Sequence, residues 1–340
     1  MNGEQSIENS INPERSDSEN IDFIKETSQE LREKIINLRR TIHQNPELGF
    51  EEYETAKLVV NELKNLGIET YEGIGKTGVV GIIRGKSSEK AVLLRADMDA
   101  LPVQESTNLE YKSNKDGISH ACGHDAHVAA LLGSAEILKR ISEQNGLNGD
   151  VIVAFQPNEE RTVEKSGAME IIKFLSKNDF WHKIEGVYAC HVAANTVRDT
   201  IKLKEGVFLA GSGKFDIQIK SPGGHGARVH EVPNPVVLGS GIIKNIAAEF
   251  GGLEPESELR ETVVSPTIVH SGGGKREAKN IISPELDVGG TVRIRTQDSK
   301  KTWMQLQGRV KEIINEILDP WKEKGADYEI GFTPGTRPVI

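Results

Sequence analysis

The sequence predicts an α/β protein of two domains: a layered domain with a largely parallel or mixed sheet, and a smaller ferredoxin-like α/β domain. The chain has 340 residues, more than most single compact cores contain. Strand-like apolar runs alternate with helical patterns up to about residue 210, as in a layered α/β domain. After residues 211–213 the order becomes strand, helix, strand, strand, helix, strand, which is typical of a ferredoxin-like sandwich.

The first part of the chain begins with residues 1–22, which are polar, lack an apolar period and are expected to form a disordered tail. Apolar residues at helical spacing then predict helices over 24–43, 53–66, 126–141 and 168–175. Short apolar runs predict strands over 79–83, 91–94, 151–155 and 187–191. We therefore expect one layered domain built from residues 23–210 together with 333–340.

The second part, residues 211–332, is expected to form the smaller domain. Its strands are predicted over 214–220, 262–270, 285–295 and 326–332, and its helices over 235–249 and 299–318.

Composition and charge narrow the classes of partner. The formal net charge is −9, which argues against nucleic acid and against an anionic membrane surface as partners. Two cysteines cannot form a disulfide framework, and no apolar stretch reaches the 18 residues of a membrane span. The N-terminal residues lack a signal-peptide pattern, so we expect a cytoplasmic protein.

A glycine pattern at residues 73–78 matches GxGxxG but is not interpreted as a dinucleotide site. That fingerprint follows a strand and opens a helix, whereas this run follows a predicted helix and opens a predicted strand. We expect a tight turn instead.

The run HACGHDAH at residues 120–127 holds three of the nine histidines. A thiolate at Cys122 and a neutral imidazole at His124 can both point at one metal ion, and Gly123 allows a sharp bend between them. Asp125 could orient an imidazole. The alternative is the start of a helix that carries histidines without a metal.

Two acidic pairs follow predicted strands, where active sites of α/β sheets lie. Of Glu159 and Glu160, one could bind metal while the other takes a proton from the attacking water. Asp97 and Asp99 could support a metal site. The alternatives are a solvated acidic turn for the first pair and a simple turn for the second.

His191 lies at the end of the predicted strand 187–191. A lone histidine is more often structural than a ligand. Three candidate ligand sets at strand or loop ends of one α/β domain nevertheless favour a shared metal site.

Six motifs occur in the order seen in the hippurate hydrolase and auxin-conjugate hydrolase family, of the aminoacylase and carboxypeptidase G type of metallopeptidases. They are RADMDALP at 95–102, HACGHD at 120–125, QPNEE at 156–160, His191-Val192, GGHGAR at 223–228 and Asn280-Ile281-Ile282. HQNPELG at 43–49 also resembles that family, and the resemblance spans about residues 31–340.

The resemblance implies two divalent metal ions per subunit, of manganese, zinc, nickel or cobalt, and a general base at Glu159. The implied metal ligands are Cys122, His124, Glu160 and His191. The smaller domain would be a lid inserted in the catalytic domain and a homodimer contact. His225 would stabilise the oxyanion, and Asn280 and Arg293 would hold the substrate carboxylate.

The sequence departs from the family pattern mildly at Asn158 and more seriously at its C-terminal end. Asn158 replaces a usual alanine. The family chain also returns from the lid to supply one more metal-binding histidine, whereas this sequence stops at Ile340 with no histidine after His270. We therefore expect a fragment or a truncated product that lacks the C-terminal end.

The function that follows is metal-dependent hydrolysis of the amide bond of a small N-acylated amino acid. One alternative is a truncated, catalytically weak or dead relative that serves as a dimerisation or binding module. A second is a dipeptidase or carboxypeptidase-like enzyme, since the same metals would serve.

Overall fold

The computed structural model describes residues 17–144, 146–160, 166–194, 196–197, 199–251, 259, 261–272 and 278–338. Contacts within the chain divide it into two compact units, Met1–Val197 and Arg198–Ile340. In this division residues 198–210 and 333–338 belong with the second unit, whereas the sequence analysis grouped them with the larger domain.

The helices of the first unit are α1 (Asp17–Glu30), α2 (Arg32–Gln44), α3 (Tyr53–Asn65), α4 (His124–Glu143) and α5 (Gly167–Lys177). The single helix predicted over 24–43 is therefore two helices, with Leu31 between them. Helix α1 also begins inside the predicted tail, at Asp17, while residues 1–16 lie outside the described part of the chain. Leu31 is buried against Ile137 and Ile141 of α4, and Phe23 packs on the same cluster, so tertiary packing stabilises α1.

The sheet of the first unit contains β1 (Glu69–Ile74), β2 (Gly78–Ile83), β3 (Ala91–Asp97), β4 (Asp150–Gln156) and β5 (Ile184–Ala189), in the order β1-β2-β4-β3-β5. Strand β3 runs parallel to β4 and β5, whereas β2 runs antiparallel to β1 and β4. The sheet is thus mixed, as predicted. The sequence analysis missed β1 because most of its residues are polar and only Ile74 is buried.

The GxGxxG run forms the turn between β1 and β2, so the prediction of a tight turn is confirmed. Gly75 adopts φ +62° there, in the left-handed region that glycine reaches without steric cost.

Helices cover both faces of the sheet. Side chains from α2, α3 and α4 form one buried cluster with Phe155 and its neighbours. Side chains from α5 form a second cluster on the other face, around Ile152 and Leu175. Both layers pack on β3 and β4, and the carboxyl ends of these strands carry the candidate site.

The second unit contains β6 (Gly211–Lys220), β7 (Gly224–His225), α6 (Pro235–Phe250), β8 (Thr262–Ser271), β9 (Ile281–Ile282), β10 (Glu285–Ile294), α7 (Ser299–Leu318) and β11 (Asp327–Pro334). Its antiparallel four-stranded sheet has the order β11-β6-β10-β8, and α6 and α7 share one buried core with it. This is the predicted ferredoxin-like sandwich. Strands β7 and β9, which were not predicted, form a separate two-stranded ladder.

Within the described residues, no helix has the length and apolar character needed to cross a membrane.

Candidate metal centre

The candidate site lies at one edge of the mixed sheet of the first unit. Asp97 ends β3, and Asp99 follows it by two residues, while Glu159 and Glu160 follow β4. His124 is the first residue of α4. Because β3, β4 and β5 are mutually parallel, their carboxyl ends meet at this edge.

Three groups of side chains have potential ligand atoms within 4.8 Å of one another. They are Cys122, His124 and His191; Asp97, His124 and His127; and His124, Glu159 and Glu160. His124 belongs to all three groups. The four ligands implied by the family resemblance are therefore brought together around one histidine.

His124 is 1% exposed and has one nitrogen available for a ligand. Its Nδ1 lies 2.8 Å from the backbone carbonyl oxygen of Asp99, to which it donates a proton. Its Nε2 is buried and has no hydrogen-bond partner among the described residues. This atom lies 3.7 Å from Asp97 Oδ2 and 3.8 Å from Glu160 Oε1. A buried nitrogen facing two carboxylates fits a bound cation.

The electrostatics of the cluster also favour a cation. Burial opposes protonation of His124, but the adjacent Asp99 and Cys122 and the charges of the nearby aspartates raise its pKa to about 11. Although burial acts in the opposite direction, the hydrogen bond from His127 and the charge of Arg95 hold the pKa of Asp97 well below its usual range. The cluster therefore carries an excess of negative charge that a proton or a metal ion can compensate.

Cys122 and His191 face each other, with 3.4 Å between Sγ and Nε2. His191 Nδ1 donates to the carbonyl oxygen of Val192 at 2.6 Å, which leaves Nε2 as the nitrogen directed at Cys122. Gly123, between Cys122 and His124, adopts φ +86°. A Cβ atom there would lie 2.4 Å from Cγ2 of Val192, so both the backbone conformation and the close approach require glycine.

The two glutamates differ in their surroundings. The backbone N–H of Glu160 donates to Asp99 Oδ2 at 2.9 Å, which places the Glu160 carboxylate near His124. Glu159 is half-buried, and burial followed by the charge of Glu160 raises its pKa above the ordinary value. A carboxylate with a raised pKa is a stronger base than an ordinary glutamate and is suited to accepting a proton.

Asp97 and His127 form a pair that the sequence analysis did not assign. His127 Nδ1 lies 2.6 Å from Asp97 Oδ1, and the other carboxylate oxygen is 2.8 Å from Arg95. A signal was present in the sequence, since residues three apart on a helix, such as His124 and His127, share a face.

A buried carboxyl group, Glu52, underlies the loop that carries Glu159 and was also missed. Its Oε1 accepts a 2.8 Å hydrogen bond from the backbone N–H of Asn158, and its Oε2 accepts one from Thr77 at 2.5 Å. Asn158 adopts φ +46°, a conformation that asparagine tolerates better than most residues. No local pattern links Glu52 to Asn158, which is 106 positions away.

The remaining predicted residues, His225, Asn280 and Arg293, lie in the second unit, and all three are exposed. The ladder between β7 and β9 brings His225 and Asn280 near each other, because Gly226 N–H donates to the Asn280 carbonyl at 2.6 Å. The backbone N–H of Ala227 donates to His225 Nδ1 at 3.2 Å, so in the neutral ring the proton lies on Nε2. Arg293 lies on β10, one of the two inner strands of the four-stranded sheet.

The model of peptidase family M20/M25/M40 matches residues 93–339. The chain belongs to this family. It is 33% identical over 324 residues to thermostable carboxypeptidase 2 of Saccharolobus solfataricus, covering 94% of this chain and 77% of that protein. It is 37% identical over 275 residues to the hippurate hydrolase of Campylobacter jejuni, covering 80% of this chain and 67% of that one.

A solved member of the M20 family has the same fold. The Bacillus subtilis YXEP protein, described as a dinuclear metal-binding peptidase, superposes with a TM-score of 0.72 at 29% identity. The superposition covers 92% of this chain and 76% of that structure. The predictions of the family, of the fold class and of a metallopeptidase-like hydrolase are confirmed.

Proposed function

We propose that this M20 protein hydrolyses the amide bond of small N-acylated amino acids, with two divalent metal ions, of manganese, zinc, nickel or cobalt, per chain. The observation that carries the proposal is the position of His124, which belongs to three groups of potential ligands beside a half-buried glutamate of raised pKa. The similarity to a hippurate hydrolase supports an acylated amino acid as substrate, because hippurate is an N-acylated glycine.

The proposed metal ligands are Cys122, His124, Glu160 and His191. Asp99 would support two of them, because it hydrogen-bonds to His124 and Glu160. Bound divalent ions would lower the pKa of a water molecule and polarise the acyl carbonyl group. The thiolate and imidazole donors suit zinc, nickel and cobalt, whereas the carboxylates also suit manganese.

Glu159 is the proposed general base. Its carboxylate would accept the proton of the attacking water and deliver it to the departing amine. Half-burial and the neighbouring charge of Glu160 raise its pKa, which makes the carboxylate a stronger base towards the proton of the attacking water.

The second unit is proposed as a lid and as the contact of a homodimer. His225 would donate from Nε2 to the developing oxyanion, which its tautomer permits. Arg293 and Asn280 would bind the carboxylate of the amino acid product, since a guanidinium and an amide both donate to carboxylates.

A peptidase acting on unmodified peptides is the second candidate, and the similarity to a thermostable carboxypeptidase favours it. Both reactions need the same metal ligands and the same base. They differ in the group on the acyl side of the scissile bond.

The test compares the two substrate classes on the metal-loaded full chain. A panel of N-benzoyl, N-acetyl and indole-acetyl amino acids is assayed beside dipeptides and carboxypeptidase substrates, with Glu159→Gln as the inactive control. Higher kcat/KM on the acylated amino acids, abolished in the control, is expected. Faster turnover of free peptides would favour the peptidase, and no turnover of either class after metal loading would overturn both.

A further inference from the structure

Both ring nitrogens of His127 are already engaged within the protein. The residue lies on α4 and is 7% exposed. The backbone N–H of Val192 can only donate, and it lies 3.0 Å from His127 Nε2. Nε2 must therefore be unprotonated, and the proton of the neutral ring lies on Nδ1, from which it is donated to Asp97 Oδ1 at 2.6 Å.

This tautomer prevents His127 from acting as a metal ligand. The lone pair of Nε2 accepts the Val192 N–H, and Nδ1 carries a proton. His127 nevertheless has ligand-like spacing with Asp97 and His124. Its hydrogen bonds therefore exclude His127 as a metal ligand but allow it to support the site.

The hydrogen bond from the Val192 N–H to His127 Nε2 also affects the orientation of His191. Val192 is the residue whose carbonyl accepts the proton of His191 Nδ1 at 2.6 Å. That bond leaves His191 Nε2 directed at Cys122 Sγ, 3.4 Å away. His191 is exposed and lies beyond the end of β5, so strand pairing does not hold it.

We propose that His127 is a positioning residue that orients His191 through the backbone of Val192. Asp97 holds His127 in the required tautomer and is itself paired with Arg95 at 2.8 Å. Arg95 is in turn anchored by a 2.9 Å hydrogen bond from its Nε to Gln156 Oε1. The chain of contacts thus links the ends of β3 and β4 to the loop after β5.

The inference rests on the proposed metal site, because His191 needs orienting only if it binds an ion. Residues that orient metal ligands typically contribute about 10–100-fold to metal affinity. His127→Asn keeps a donor for Asp97 but is too short to accept from Val192. His127→Gln keeps an acceptor at about the distance of Nε2. The two variants therefore separate the two hydrogen bonds of the ring.

The experiment measures Co²⁺ affinity by competition with a chelator, and the absorption spectrum of the Co²⁺ protein. His127→Asn should bind Co²⁺ about 10–100-fold more weakly while keeping the near-ultraviolet thiolate band of Cys122. His127→Gln should lie closer to wild type. The visible bands of His127→Asn should move towards those of His191→Ala, because both change the same ligand.

A double-mutant cycle tests whether His127 affects metal affinity through His191. If His127 acts through His191, His127→Asn should have no further effect on affinity in the His191→Ala background. Equal losses with and without His191 would overturn the inference alone. If His127→Gln lost one full equivalent of bound metal per chain, this result would also overturn the inference and would make His127 a ligand. Wild-type protein that binds no divalent ion would overturn the proposed function and this inference together.

Discussion

The His124 ring donates from Nδ1 to the backbone carbonyl oxygen of Asp99 at 2.8 Å, which turns its buried Nε2 towards the carboxylates of Asp97 and Glu160. The backbone N–H of Glu160 in turn donates to the Asp99 side chain at 2.9 Å. Asp99 alone therefore orients two proposed ligands, His124 of α4 and Glu160 of the loop after β4.

The shared position of His124 predicts an unequal loss of metal among variants. His124→Ala should remove nearly all bound metal, because all three ligand groups contain this residue. Cys122→Ser should lower metal content only in part, since a hydroxyl is a poorer ligand than a thiolate. Elemental analysis after loading with manganese or zinc measures the content. Cys190→Ser, at the other and exposed cysteine, is the matched control and should retain the wild-type amount.

Glu159 and Glu160 should separate turnover from metal binding. Glu159→Gln should keep its metal while kcat falls by about 10²–10⁴-fold, the usual contribution of a general base. Glu160→Gln should lose metal as well as activity, because its carboxylate faces His124. Paired measurements of metal content and kcat on both variants distinguish the roles. The opposite pattern would exchange the assignments of the two glutamates.

Glu52 should make stability depend on pH. Burial raises its pKa above the ordinary 4.5, although the hydrogen bonds from Thr77 and Asn158 oppose the shift. Because the pKa of Glu52 is higher in the folded state, protonation of Glu52 stabilises the fold. This contribution to the free energy of unfolding is complete below pH 4.5 and is lost as pH rises through the folded-state pKa. Each unit of difference corresponds to about 1.4 kcal/mol.

Glu52→Gln tests this dependence, because glutamine can accept from Asn158 N–H and donate to Thr77 without ionising. Urea unfolding at acidic and neutral pH should show that the variant gains stability relative to wild type as pH rises. The neighbouring Glu51→Gln, at an exposed side chain, should follow wild type. Parallel curves for Glu52→Gln and wild type would mean that Glu52 has the same pKa in both states.

Gly49→Ala should disturb the loop that carries Glu159. An added Cβ would lie 2.0 Å from Asn158 Oδ1 and 3.1 Å from its Cα, so the loop must move. We expect a loss of about 1–3 kcal/mol, typical of overpacking, together with reduced kcat. Adding Asn158→Gly removes the closer contact and keeps a residue suited to φ +46°, so it should restore part of the stability. A double variant no more stable than Gly49→Ala would show that the backbone contact dominates.

The sequence by itself determined the fold class and the family, and it marked most of the potential ligands of the candidate site. Apolar periods of helix and strand are local, so they predicted the alternating elements of the first unit and the βαββαβ order of the second. The spacing of Cys122 and His124 and the strand-end positions of Glu159, Glu160 and His191 marked potential ligands before any contact was known.

Tertiary structure decided the features that depend on residues far apart in the chain. Strand β1 is mostly polar and exists because it pairs with β2, and α1 extends into the predicted tail because it packs on α4. Likewise, the pairing of His127 with Asp97 and of Glu52 with Asn158 joins residues 30 and 106 positions apart. Local spacing carries no information on such contacts, because packing of helices on a sheet, rather than chain proximity, brings these buried polar groups together.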